Sequence, residues 1–124
     1  MFIDIDNKII NTNLIVYIRL KNNIIHIFTE HDGILSFSFN KKSEEVFNKL
    51  ADKFKKDFIK INEILIRKNN IKLIKIGTNL KTLKICYFTS LVFKESWINI
   101  DFKDDTGCLL AYNLLVSELK VEVL

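Results

Sequence analysis

Apolar and polar positions alternate through the first forty residues in the manner of strands. Leu14, Val16, Ile18 and Leu20 share one face while Arg19 and Lys21 take the other. Ile25 and Ile27 continue the alternation, and Leu35, Phe37 and Phe39 interleave with Ser36 and Ser38. The pattern predicts three or four antiparallel strands, at about 2–6, 13–20, 23–29 and 33–39, arranged as a meander.

At Ser43 the period changes. Phe47, Leu50, Phe54, Phe58, Ile61 and Leu65 recur at steps of three and four, one apolar stripe on a helix over 43–68. Ser43 is the expected N-cap, Glu44 and Glu45 suit the positive end of the helix dipole, and Asn69–Asn70 end the run. At about 1.5 Å per residue, such a helix would span on the order of 38 Å. A six-residue strand covers only about 20 Å. The helix must therefore overhang its sheet, break near Asn62, or reach a second sheet or subunit. Strand patterns resume at about 71–77, 81–91, 96–103 and 107–114, with a weak final segment over 120–124. The expected fold is α+β, with seven or eight mostly antiparallel strands around one long central amphipathic helix, in a single domain over 1–124.

Residues 28–35, FTEHDGIL, echo residues 102–109, FKDDTGCL. Gly33 and Gly107 each fit the left-handed position that closes a short hairpin loop. The preferred reading is two hairpins with the same turn chemistry. The alternative is a weak duplication of 1–40 in 71–114 around the helix 43–68.

Composition adds little to this and subtracts much. The 124 residues are 48% hydrophobic and 27% charged, an ordinary globular balance. Isoleucine (20), lysine (17) and asparagine (13) dominate, with two alanines and no proline, a bias expected of an AT-rich genome. No apolar run is long enough for a membrane span, and Asp4 and Asp6 stand where a signal peptide would be basic and apolar, so a cytoplasmic protein is expected. Cys86 and Cys108 sit in apolar surroundings and read as small buried hydrophobes.

Candidate chemistry is sparse. Asp4 and Asp6 share a strand face, but metal-assisted phosphoryl chemistry also needs a third ligand, and none is marked. Glu30, His31 and Asp32 on one tight loop diverge, and Asp104–Asp105 before Thr106 lack the spacing of a calcium loop. Gly33, Gly77 and Gly107 are isolated, so there is no phosphate loop. No catalytic, metal-ligating or cofactor-binding residue is assigned, and no cofactor is expected.

Charge is unevenly placed: residues 1–40 sum to −1, residues 41–84 to +8 and residues 85–124 to −3. On the expected helix, Lys49, Lys53, Lys56 and Lys60 form a second stripe, with Arg67 and Lys68 at its end; Lys41, Lys42, Lys72 and Lys75 lie near by in sequence. Acids four residues before Lys49, Lys56 and Arg67 also make this a self-neutralising, solvated face. Trp97 stands apart, on the strand face opposite Ser96, Ile98, Ile100 and Phe102, where it could cover a helix end, meet a dimer mate or stack a base. These residues, Lys49, Lys53, Lys56, Lys60, Arg67, Lys68 and Trp97, are the candidate binding surface. The sequence favours a small non-enzymatic binding or regulatory protein acting through protein contacts, as a homodimer. A nucleic-acid-binding protein using the basic helix face is the alternative, and an inhibitor of a host machine carried by a phage or mobile element is a third.

Overall fold

The chain reverses direction where asparagine allows it. The computed structural model describes residues 1–30, 33–89, 92–122 and 124, the side chains of 92–95 excepted. β1 (Phe2–Ile5) and β2 (Lys8–Asn11) are joined by Asp6 and Asn7, at φ 50° and 63°. β3 (Ile15–Lys21) and β4 (Ile24–Thr29) are joined by Asn22 and Asn23, at φ 52° and 61°. Two central residues at positive φ are the type I′ arrangement, whose twist matches that of the flanking strands. Asn62, at φ 51°, begins the two-residue link between β6 (Phe58–Ile61) and β7 (Ile64–Arg67), and β5 (Gly33–Ser38) starts on Gly33 at φ 71°. Five of the eight described non-glycine residues at positive φ are asparagine, so in a chain with three glycines asparagine supplies most left-handed positions.

The fold is α+β, its sheets antiparallel, and it divides into two compact units, Met1–Arg67 and Lys68–Leu124. In the first unit a five-stranded sheet has the order β5-β4-β3-β7-β6, beside the separate β1-β2 hairpin. The base of that hairpin is tied by Thr12, whose N–H and hydroxyl both donate to the Met1 carbonyl, at 3.0 and 2.9 Å. Helix α1 (Ser43–Lys53) sets Phe47 and Leu50 into a core shared with Ile18, Leu20, Ile25, Ile27, Phe37 and Leu65 of the sheet and Ile3, Ile5 and Ile10 of the hairpin. Ser43 does not cap α1: a short 3-10 turn, Asn40–Lys42, leads in, and the buried Ser43 hydroxyl accepts from the Phe39 N–H at 3.1 Å.

The long helix over 43–68 is not formed. α1 stops at Lys53, residues 54–57 turn, and β6 and β7 follow as a hairpin. Phe54, Phe58 and Leu65 reach the core as the stripe requires, but Ile59, Ile64 and Ile66 are buried too. A helix would carry those three off the stripe, whereas a strand offers two faces, and β-branched isoleucine suits it. Eleven residues span roughly 16 Å as a helix, short enough to lie within one sheet.

The second unit holds β8 (Ile71–Ile76), β9 (Thr82–Thr89) and β10 (Val92–Asp101) in the order β10-β9-β8, with helix α2 (Asp105–Glu118) against β8 and β9. The strand expected over 107–114 is therefore a helix. Asp104, in extended conformation, caps it by accepting from the Gly107 N–H at 2.7 Å, and Asp105 follows in the first turn. At the other end Lys120, at φ 53°, closes α2: its N–H donates to the Ser117 carbonyl, and that of Val121 reaches back to Val116. No strand forms over the described residues of 120–124. The two echoing octets thus differ, one leading into a strand at Gly33, the other opening a helix; His31 and Asp32 lie outside the described residues. With β2, β6 and β7 added and 107–114 removed, the described residues form ten strands and two helices rather than seven or eight strands and one. Cys86 and Cys108 are free and buried, and burial pushes the Cys108 thiol up from its usual value. Among the described residues no helix is long and apolar enough to cross a membrane.

Asp104→Ala removes the cap of α2 and is expected to destabilise the protein by about 1 kcal/mol. Urea denaturation against the parent measures it; an unchanged midpoint would mean that the cap contributes nothing.

Candidate functional site

Ending α1 at Lys53 takes the lysine stripe apart. Lys49 and Lys53 remain on α1, Lys56 lies in the turn after it, and Lys60 sits on β6, where its ammonium donates to Asn48 Oδ1 at 3.3 Å and lies 5.9 Å from the Phe47 ring centre. The lysines that stay together have acids beside them. Glu45 pairs with Lys49 at 3.5 Å and Asp52 with Lys55 at 3.8 Å, both exposed pairs. Asp4 and Asp6 share with Lys49 and Lys53 a groove of about 370 Å³ between β1 and α1. Charges this close cancel one another at any distance beyond a Debye length.

Arg67 is occupied within its own unit. Its Nε donates to the Ile15 carbonyl at 2.8 Å and its Nη2 to the Thr12 carbonyl, while the guanidinium stacks 4.5 Å from the Phe58 ring centre. Burial lowers its pKa from the ordinary value, opposed by Asp57 and Glu30. The planar fork holds β7 to the segment that enters β3. Lys68, half-buried, opens the 3-10 turn Lys68–Asn70.

Trp97 belongs to a different surface. In the second unit the strand register sorts side chains into two faces. One carries Ile74, Ile85 and Ile98 in one row and Ile76, Leu83 and Ile100 in the next; Ile85, Leu83, Ile98 and Ile100 are buried. The other carries Leu73, Cys86 and Trp97 in one row, Lys75, Lys84 and Asn99 in the next, and Thr82 with Asp101 at the end. Trp97 is 38% exposed and Phe88, two residues beyond Cys86 on the same face of β9, is 49% exposed. The Lys75 ammonium lies 5.0 Å from the Trp97 ring centre, a cation–π contact. Lys75 and Lys84 stand directly opposite each other, a like-charge pairing that disfavours the sheet.

The turn that sets this register is built by Asn79. Its Oδ1 accepts from the N–H groups of Lys81 and Thr82, at 2.9 and 3.1 Å, and its Nδ2 donates to the Thr82 hydroxyl at 3.1 Å. That hydroxyl in turn donates to Asp101 at 2.8 Å, fixing the acid at one end of the face.

The charge is also differently balanced. Residues 41–63 hold seven bases and five acids, whereas residues 64–94 hold seven bases, Arg67, Lys68, Lys72, Lys75, Lys81, Lys84 and Lys94, and no acid. The positive excess of the chain lies in the β8–β9 hairpin rather than on α1. From the sequence Trp97 stood out, with Asn99 and Asp101 on its face, whereas Lys84 and Phe88 did not. For Lys84 a signal is legible without any structure, the gap in acids between Glu63 and Glu95; Asn99 and Phe88 join it only through strand register.

Arg67→Met keeps an apolar stem over Phe58 but leaves two carbonyls without their donor, with an expected loss of about 2 kcal/mol in urea denaturation. Arg67→Lys should recover only part of it, because one ammonium lacks the forked geometry. Full recovery by lysine would show that charge alone matters there.

No protein-family model and no curated protein matches this chain. Its fold is similar to a solved structure, the LytTr DNA-binding domain of a protein from Bacillus cereus described as a methyl-accepting/DNA response regulator. The likeness has a TM-score of 0.60 and 12% sequence identity, over 98% of this chain and 96% of that one. At that identity the likeness is one of fold.

Proposed function

We propose that this chain is a non-enzymatic nucleic-acid-binding protein, and that the face of β8, β9 and β10 bearing Lys75, Lys84 and Asn99 makes the contact. The observation that carries the reading is the acid-free basic stretch over 64–94, which brings Lys75, exposed, and Lys84, half-buried, side by side on one sheet face. A polyanion relieves the repulsion between them, and neutralised phosphates release counterions. The fold likeness supports the same reading, since the similar domain is named for DNA binding. The lysines of α1 contribute less, because their own acids already screen them.

The test is fluorescence anisotropy of a labelled DNA duplex at several salt concentrations, with the parent and Lys75→Glu/Lys84→Glu. The expected result is binding with a steep log–log salt dependence, and for the double variant a weaker affinity with a slope smaller by about 2. Lys75→Glu alone faces Lys84 as an opposite charge, so the sheet should be no less stable while binding weakens. Affinity unchanged by both substitutions, but lost on Lys49→Glu/Lys53→Glu, would move the contact to α1.

A second reading, self-association, is favoured by the outer side of α2, where Leu109, Leu110 and Leu114 are 51%, 65% and 49% exposed. Light scattering should then give twice the chain mass for the parent and the single mass for Leu110→Lys/Leu114→Lys. A monomeric parent at high concentration ends this reading.

A further inference from the structure

We infer that the face of the β8–β10 sheet bearing Trp97 and the two lysines is a platform for single-stranded nucleic acid, with an unpaired base stacked on Trp97 and the adjoining phosphates on Lys75 and Lys84. This rests on the nucleic-acid reading above and narrows it to one class of ligand. Two exposed aromatic rings, Trp97 and Phe88, share the face with the lysines. Trp97 is opposite Cys86 and Phe88 is two residues further along β9, so the rings are diagonal neighbours, roughly 7 Å apart at the backbone. An exposed aromatic pair beside two facing lysines matches a ligand with apolar, π-faced bases and a charged backbone. A duplex offers the charge but hides the base faces within its stack.

Width points the same way. The major groove, about 12 Å wide, admits a helix or a two-stranded ribbon. Three strands at about 4.8 Å spacing, with side chains standing on them, make a broader and flatter surface. Such a face can be traversed by an extended strand lying across it. Lys75 above the Trp97 ring already holds a cation at the aromatic, so a base arriving at Trp97 brings its phosphate within reach of that ammonium. Asp101 is held by Thr82 at the end of the face away from Trp97.

Trp97 is the only tryptophan in the chain, so its own fluorescence reports on the site. The whole protein is titrated with unlabelled thymidine oligonucleotide of about 12 nucleotides and, separately, with a mixed-sequence duplex of the same length. Excitation at the red edge avoids Tyr17, Tyr87 and Tyr112. The expected result is strong quenching by the single strand at concentrations that saturate anisotropy of a labelled copy. Trp97→Ala should weaken single-strand binding about 5-fold to 100-fold, and Trp97→Phe should restore most of it, because a smaller ring still stacks. Circular dichroism of both variants verifies the fold. Duplex binding with no single-strand quenching overturns the platform and leaves the nucleic-acid reading standing. Binding of neither polymer overturns both. Single-strand binding that Trp97→Ala leaves unchanged also overturns the platform, since contact through phosphates alone needs no aromatic.

Discussion

Everything in this structure depends on reversing a backbone tightly with almost no glycine. Strands of four to ten residues, all paired antiparallel, require a left-handed residue at nearly every turn, and a Cβ makes that conformation costly for most side chains. Asparagine meets the requirement through a short side chain that can bond its own neighbourhood. Where φ alone is insufficient, as between β8 and β9, the Asn79 carboxamide builds the reversal by collecting two backbone N–H groups. Turn geometry then sets register, and register decides which side chains share a face. A slip of one residue in β9 would put Lys84 with the isoleucines and Leu83 with Trp97.

Charge density and charge balance lead to different places on this molecule. The segment richest in lysine, around α1, is also rich in carboxylates, and the helix and the β1–β2 hairpin bring those carboxylates beside the lysines. Exposed pairs of this kind contribute a few tenths of a kcal/mol to folding, yet they remove the field that a polyanion would sense. The β8–β9 hairpin has fewer bases and no acid of its own. Arg67 shows the opposite use of a cation: half-buried, forked between two carbonyls and stacked on Phe58, it serves the first unit's architecture.

Strand patterns were readable over 15–29, 33–38 and 71–89, and the positive middle of the chain was readable from charge alone. Trp97 was correctly placed opposite Ile98 and Ile100, because a period of two leaves no choice of face. The stretch 54–67 was not readable in the same way. Phe54, Phe58, Ile61 and Leu65 satisfy a helical stripe and a strand pair equally well, and the intervening isoleucines were the only sign that both faces would be covered. Residues 107–114 misled for the converse reason: a nearly continuous apolar run carries no period, and the capping carboxylate of Asp104 looked like turn chemistry.

By itself, then, the sequence determined the places where local chemistry admits a single answer: alternating strands, asparagine reversals, and a basic stretch without acids. The tertiary structure decided the rest. β3 offered β7 an edge to pair with, so residues compatible with helix or strand took the strand, gaining interstrand hydrogen bonds and a second buried face together. The same pairing rule brought Lys75, Lys84, Asn99 and Trp97 from three separate strands onto one surface. Their sequence separations contain no trace of that neighbourhood, because it is created by register between strands and not by spacing along any one of them.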